Sequence, residues 1–200
     1  MTVPTPAVPA TGVAQLNQTG QWAVATVTGG TVQGILVTSP SLASALTPAI
    51  PASTVTATNS STNPVAVAIT GGTVTVVAVN GVTQFTATGV TAVVPGGGTI
   101  ALTYSVVPTS WTWTSLLAGI SGSPVASPYS VPLPPTGSVT LIYSSAPTWT
   151  WTNPLNESYD PGFYGNNALA EAAGYNPYTV LPYAQHATLA QTGLATGVSN

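Results

Sequence analysis

Trp22-Ala-Val-Ala-Thr-Val-Thr-Gly-Gly-Thr-Val32 recurs 42 positions on as Pro64-Val-Ala-Val-Ala-Ile-Thr-Gly-Gly-Thr-Val74, and this repetition decides the fold. In both copies β-branched residues alternate with Ala around a Gly-Gly pair, the pattern of a strand, a tight turn and a second strand. The paired glycines supply the positive φ that such a turn requires. The match extends upstream, Val13 and Asn17 answering to Val55 and Asn59. A second segment, Gly98-Thr-Ile-Ala-Leu-Thr-Tyr-Ser-Val-Val-Pro-Thr-Ser-Trp-Thr-Trp113, returns 39 positions on as Gly137-Ser-Val-Thr-Leu-Ile-Tyr-Ser-Ser-Ala-Pro-Thr-Trp-Thr-Trp151, with Ser110 an extra residue in the first copy.

Residues 51–115 hold a hairpin half followed by a Tyr-Ser/Trp-Thr-Trp half and read as one complete β unit. Residues 13–50 hold a hairpin half alone, and residues 116–152 a Tyr-Ser/Trp half alone. Two arrangements accommodate this. Either the outer halves pair in space with 51–115 inserted between them, or the units stand in tandem and the first and last each lack a half. Insertion is the expected arrangement, and contacts between residues 22–37 and 139–151 are its test. Within the complete unit, strands are expected near 54–58, 64–69, 73–79, 82–86, 90–94, 99–106 and 110–114. The fold class is therefore all-β: two small Ig-like antiparallel β-sandwich or barrel units, one of them discontinuous. Residues 1–12 form a Pro-rich arm, expected to be extended with no hydrogen-bonded partner of its own. Residues 153–200 read as a mostly irregular tail with short helices near 167–173 and 184–190, and a short turn is expected at 41–46.

The 200 residues contain no Lys, Arg or Cys, three acids (Glu157, Asp160, Glu171) and one His, so charged residues make up only 2% of the chain. An ordinary soluble domain carries about 25%. Without a cation nothing can neutralise phosphates, which excludes nucleic acid held by its backbone and an anionic membrane surface as partners. Without Cys there is no disulfide frame, thiolate zinc site or Cys nucleophile. Met1-Thr-Val-Pro4 lacks a positively charged leader region, and no apolar run approaches the length of a membrane-spanning helix. Hydrophobic residues at 44% suffice for a core. A surface of Thr, Ser, Asn and Gln carries little electrostatic repulsion, which fits a chain kept soluble by its neighbours in a large assembly.

No catalytic, cofactor or metal residues are expected. Ser158, Asp160 and His186 are the residue types of a hydrolase triad, but no Gly-x-Ser-x-Gly elbow accompanies them. Glu157 and Asp160 lack EF-hand spacing. Nothing in the sequence builds a cleft around any pair drawn from Glu157, Asp160 and Glu171, as glycoside hydrolysis would need. The glycine groups at 29–30, 71–72 and 96–98 follow no phosphate-cradling pattern. Asn17-Gln-Thr19, Asn59-Ser-Ser61 and Asn156-Glu-Ser158 match the glycosylation triplet without a secretion signal.

Side chains alternate along a strand, so Trp111 and Trp113 share one face, as do Trp149 and Trp151. That face is expected in a core or between units, with Tyr104 and Tyr143 at a core edge. Exposure of one indole in each pair would instead make a carbohydrate-stacking platform, a role open to Trp22 as well. Tyr159, Phe163, Tyr164, Tyr175, Tyr178 and Tyr183 crowd the tail, where amphipathic rings on irregular backbone suit docking onto another protein.

The run Ile69-Thr-Gly-Gly-Thr-Val, then Val79-Asn-Gly-Val, then Val94-Pro-Gly-Gly-Gly-Thr-Ile-Ala-Leu-Thr-Tyr-Ser, then Pro108-Thr-Ser-Trp-Thr-Trp113 resembles a β module of tailed-bacteriophage structural proteins, above all those of phages that infect actinobacteria. The resemblance covers 51–114 well, 13–39 and 125–152 in part, and departs at 39–51. It implies a non-enzymatic virion protein made in the bacterial cytoplasm. The expected station is the capsid exterior, as a decoration or head-fibre protein bound to the major capsid protein and forming a homo-oligomer. A minor tail or fibre component is the first alternative, and a carbohydrate- or host-surface-binding module the second.

Overall fold

Side chains alternate along a strand between a core face and a solvent face, and the last strand shows it: Trp149 and Trp151 are buried while Thr148, Thr150 and Thr152 face solvent. The structure, a computed structural model, describes residues 4–153. In chain order the strands are β1 (Ala14–Leu16), β2 (Ala23–Thr28), β3 (Thr31–Thr38), β4 (Thr56–Thr58), β5 (Val65–Thr70), β6 (Thr73–Val79) and β7 (Val82–Phe85). They continue with β8 (Val90–Val94), β9 (Thr99–Val106), β10 (Ser110–Ser115), β11 (Ala118–Ser121), β12 (Tyr129–Leu133), β13 (Ser138–Ser145) and β14 (Thr148–Thr152). The seven strands expected in the complete unit lie within a residue or two of β4–β10. Among the described residues there is no helix. The turn expected at 41–46 stands instead at 39–42, where Leu42 N donates to the Ser39 carbonyl, and the helices expected near 167–173 and 184–190 lie outside the described residues.

All pairing is antiparallel, in four sheets ordered β4-β9-β6-β7, β10-β5-β8, β1-β13-β3-β11 and β12-β2-β14. The first two share one buried cluster, built from Val65, Val67 and Ile69 of β5 with Val77, Ile100, Leu102, Trp111 and Trp113. The last two share another, in which Ala23, Ala25 and Val27 of β2 meet Ile35, Val37, Leu133, Leu141, Trp149 and Trp151. The two pairs of sheets have the same order, β1, β13, β3 and β11 standing where β4, β9, β6 and β7 stand in the other pair. The outer pair is assembled across the insertion. Thr148–Thr152 lies on Thr28–Val24, and Ser138–Leu141 lies on Thr38–Ile35. These are the contacts that separate insertion from a tandem array.

The two units meet along β8 and β11. Ser121 Oγ accepts from Val93 N at 2.6 Å and donates to Gln84 Oε1, while Ala66, Val93 and Leu116 bury one another with Leu36 against them. The edge of β8 is thereby covered. The position answering to Val93 in the outer unit is Pro132, which pairs with Val24 as Val93 pairs with Ala66. Proline has no N–H to offer, so that edge is blunted.

The Gly-Gly turns are tight for two reasons at once. Gly72 has φ +66°, and a Cβ there would lie 2.5 Å from the carbonyl oxygens of Val106 and Val107. Gly30 is equally confined, 2.6 Å from Ser145 O. Gly81 has φ +78° but open space around it. Gly81→Ala should therefore cost about 1 kcal/mol, the left-handed penalty alone, and Gly72→Ala about 2 kcal/mol more through backbone overlap. Urea unfolding midpoints measure the difference; equal costs would show that the 71–72 turn is not pressed against 106–107.

Candidate functional site

The repeat reaches further upstream than the hairpins suggest. Thr5-Pro-Ala-Val-Pro-Ala-Thr11 returns 42 positions on as Thr47-Pro-Ala-Ile-Pro-Ala-Ser53, and each copy holds a Pro-x-x-Pro core. Each lies against the aromatic residues of its own unit. Trp149 Nε1 donates to the Pro6 carbonyl and Trp111 Nε1 to the Pro48 carbonyl, both at 2.8 Å. Tyr143 OH donates to the Pro9 carbonyl at 2.7 Å and Tyr104 OH to the Pro51 carbonyl at 2.8 Å. The hydroxyls of Thr5 and Thr47 accept from the backbone N–H of Trp151 and Trp113, and those of Thr11 and Ser53 from Tyr143 and Tyr104. After each segment the chain turns through a positive φ, +77° at Gly12 and +71° at Thr54.

Residues 5–11 therefore differ from the free arm expected of the composition. Proline carbonyls are strong acceptors with no N–H beside them to pair, and the Tyr and Trp donors are placed to take them. The inner unit likewise begins its contacts before residue 51, with Thr47 and Pro48 bonded and Ala45 against its core. The signal was present in the sequence as a constant offset of 42 running back to Thr5.

A buried amide ties loops together in each unit. Asn17 Nδ2 donates to the carbonyls of Gln21 at 2.8 Å, Pro134 at 3.0 Å and Leu133 at 3.2 Å, while Oδ1 accepts from Thr19 N and Oγ1. Asn59 does the same with Asn63, Pro95, Val94 and Ser61. Both are almost fully buried. The Asn-x-Ser/Thr spacing at 17 and 59 is thus a structural clip in which the hydroxyl braces the amide, and the nitrogen a glycan would need is enclosed. Asn156 lies outside the described residues.

All four indoles of the Trp-Thr-Trp strands are inside: Trp111 is 4% exposed, Trp113 7%, Trp149 5% and Trp151 4%. Each pair meets edge to face, with ring centroids 5.6 Å and 5.4 Å apart, a geometry contributing about 1 kcal/mol beyond area burial. Nε1 of Trp113 and of Trp151 has no oxygen or nitrogen partner. A stacking platform requires an accessible ring face, so these four are not platforms; Trp22 is half-buried. Tyr159, Phe163, Tyr164, Tyr175, Tyr178 and Tyr183, the expected docking anchors, lie outside the described residues, as do Glu157, Asp160, Glu171 and His186. Among the described residues no group of His, Cys, Asp or Glu could hold a metal ion.

In comparisons with known proteins, no family model, curated protein or solved structure matches this chain. The arrangement can thus be read only from its own geometry, which is that of a doubly repeated, internally bonded frame.

Acrylamide should quench one accessible fraction of the tryptophan fluorescence, and Trp22→Phe should abolish it. Strong quenching that survives Trp22→Phe would place an indole of the repeats at the surface instead.

Proposed function

We propose that the chain is a non-enzymatic structural protein of a tailed-phage virion that decorates the capsid exterior, its two units being small Ig-like β-sandwiches. The reading rests on the resemblance of 51–114 to the phage β module. The observation that carries it further is that the repeated aromatic residues are spent on internal bonds in both units. Their outward faces offer Thr and Ser, and residues 4–153 carry no ionisable side chain except Tyr. Such a chain is suited to bear load and cover surface rather than to turn over a substrate.

In this reading the units cover or project from the shell, and the Tyr-rich tail beyond residue 153 docks on the major capsid protein. Many weak copies then act together, since each contact raises the local concentration of the next. A minor tail or fibre component would use the same units and differ in number.

Quantitative mass spectrometry of purified virions, after digestion with a protease other than trypsin, tests the proposal. Trypsin would leave the chain whole for want of Lys and Arg. The expected result is a copy number that tracks the major capsid protein. A small number matching the tail's rotational symmetry would move the protein to the tail, and absence from the particle would overturn the reading.

A further inference from the structure

Trp149 Nε1 and Tyr143 OH donate to the carbonyls of the two prolines in Pro6-Ala-Val-Pro9. This is the chemistry by which aromatic-lined grooves take Pro-x-x-Pro segments: indole and phenol donors read carbonyls that a proline-stiffened backbone presents in the right places. Trp111 and Tyr104 do the same with Pro48-Ala-Ile-Pro51, at distances that agree within 0.1 Å. The inner segment follows β3 through residues 39–46. The same bonds recur in both units, so the motif and the groove go together.

We infer that the outer groove, formed by Tyr143, Trp149 and Trp151, is a recognition site for a Thr-Pro-x-x-Pro-x-Thr segment, and that it accepts this segment from a second copy of this chain. Residues 5–11 then exchange between copies, and reciprocal exchange closes a twofold dimer.

The second copy is the occupant because it carries the segment that the site demonstrably fits. Three features make the exchange feasible. The outer segment is held by hydrogen bonds and by three half-buried side chains, Pro6, Val8 and Pro9, none of them fully buried. It joins β1 through Gly12, which has φ +77° and open space around an added Cβ but whose N–H donates to the Leu141 carbonyl at 2.8 Å, so the hinge that exchange needs lies just before that bond. The hydrogen bonds formed in trans are the same as those broken in cis, so the exchange is close to neutral apart from the cost of bringing two copies together. A short tether gives the cis arm an effective concentration of order millimolar. Exchange therefore becomes appreciable when copies are held that densely, in concentrated solution or side by side on a surface. Arm exchange is a property of the chain in solution and stands or falls independently of its station on a virion.

Two full-length variants make the test. One has a defective groove and a sound arm, Tyr143→Phe with Trp149→Phe. The other has a sound groove and a loosened arm, Thr5→Ala with Pro6→Gly and Pro9→Gly. Each alone should sediment as a monomer. Mixed and refolded together, they should give a complex that contains one of each by native mass spectrometry. Separate monomers in the mixture, with both variants folded by circular dichroism, would overturn the proposal. Should either variant fail to fold, the unaltered chain decides. Refolded over a concentration series up to about 1 mM, it should show a dimer-to-monomer ratio that rises about tenfold per tenfold rise in free monomer. A ratio that stays flat would contradict arm exchange.

Discussion

Asn17 reaches the carbonyls of Leu133 and Pro134 from the far side of an inserted unit, and the outer unit depends on that reach. A buried amide must place both of its hydrogens and its oxygen or lose the desolvation free energy of each, about 1–3 kcal/mol per unsatisfied group. Asn17 places all of them, on Thr19 and Gln21 of its own loop and on Leu133 and Pro134 at the end of β12. The hydroxyl of Thr19 completes the ring of bonds, as Ser61 does around Asn59. Along β14 and at Tyr143, the Tyr and Trp donors of β13 and β14 fasten residues 5–11. The separated halves of the unit are thus tied in two places by side chains that recognise backbone.

Separation in sequence costs the unit little. Loop-closure entropy grows only as the logarithm of loop length, about 0.6 kcal/mol for each doubling. The insertion is itself folded, and its exit is pinned where it leaves the outer unit: Leu116 N donates to the Pro64 carbonyl and Leu117 N to the Val37 carbonyl. The inserted unit consequently behaves as a short, stiff connection rather than as a long flexible one.

A chain without Lys or Arg must also manage its sheet edges without the charges that commonly blunt them. It does so by other means. β1 and β4 are three residues long, β12 carries Pro132, β8 is covered through Ser121, and the Pro-x-x-Pro segments run beside β14 and β10. This division of labour explains what the sequence made legible. Strands could be read because burial follows alternation, residue by residue, in Ala23–Thr28 or Thr148–Thr152. The insertion could be read because half-repeats have to find partners. The docking of residues 5–11 could not be read from composition, because a Pro-rich segment looks the same whether its carbonyls meet water or an indole. Asn17 and Asn59 were hidden similarly, since their spacing to a hydroxyl residue serves a structural clip as well as a glycosylation triplet. The face shared by the paired indoles, expected in a core or between units, lies in the core of each unit.

The central claim is that residues 5–38 and 116–152 form one cooperative unit around a second one. Native-state hydrogen exchange tests it most directly, read residue by residue as denaturant is raised below the unfolding transition. Amides of β2 and β3 and those of β13 and β14 should open together, with one free energy and one denaturant dependence. Asn17→Ala should lower both sets equally while leaving β5, β6 and β9 unchanged. Exchange of β2–β3 that is independent of β13–β14 would contradict the claim and return the chain to a row of separate units.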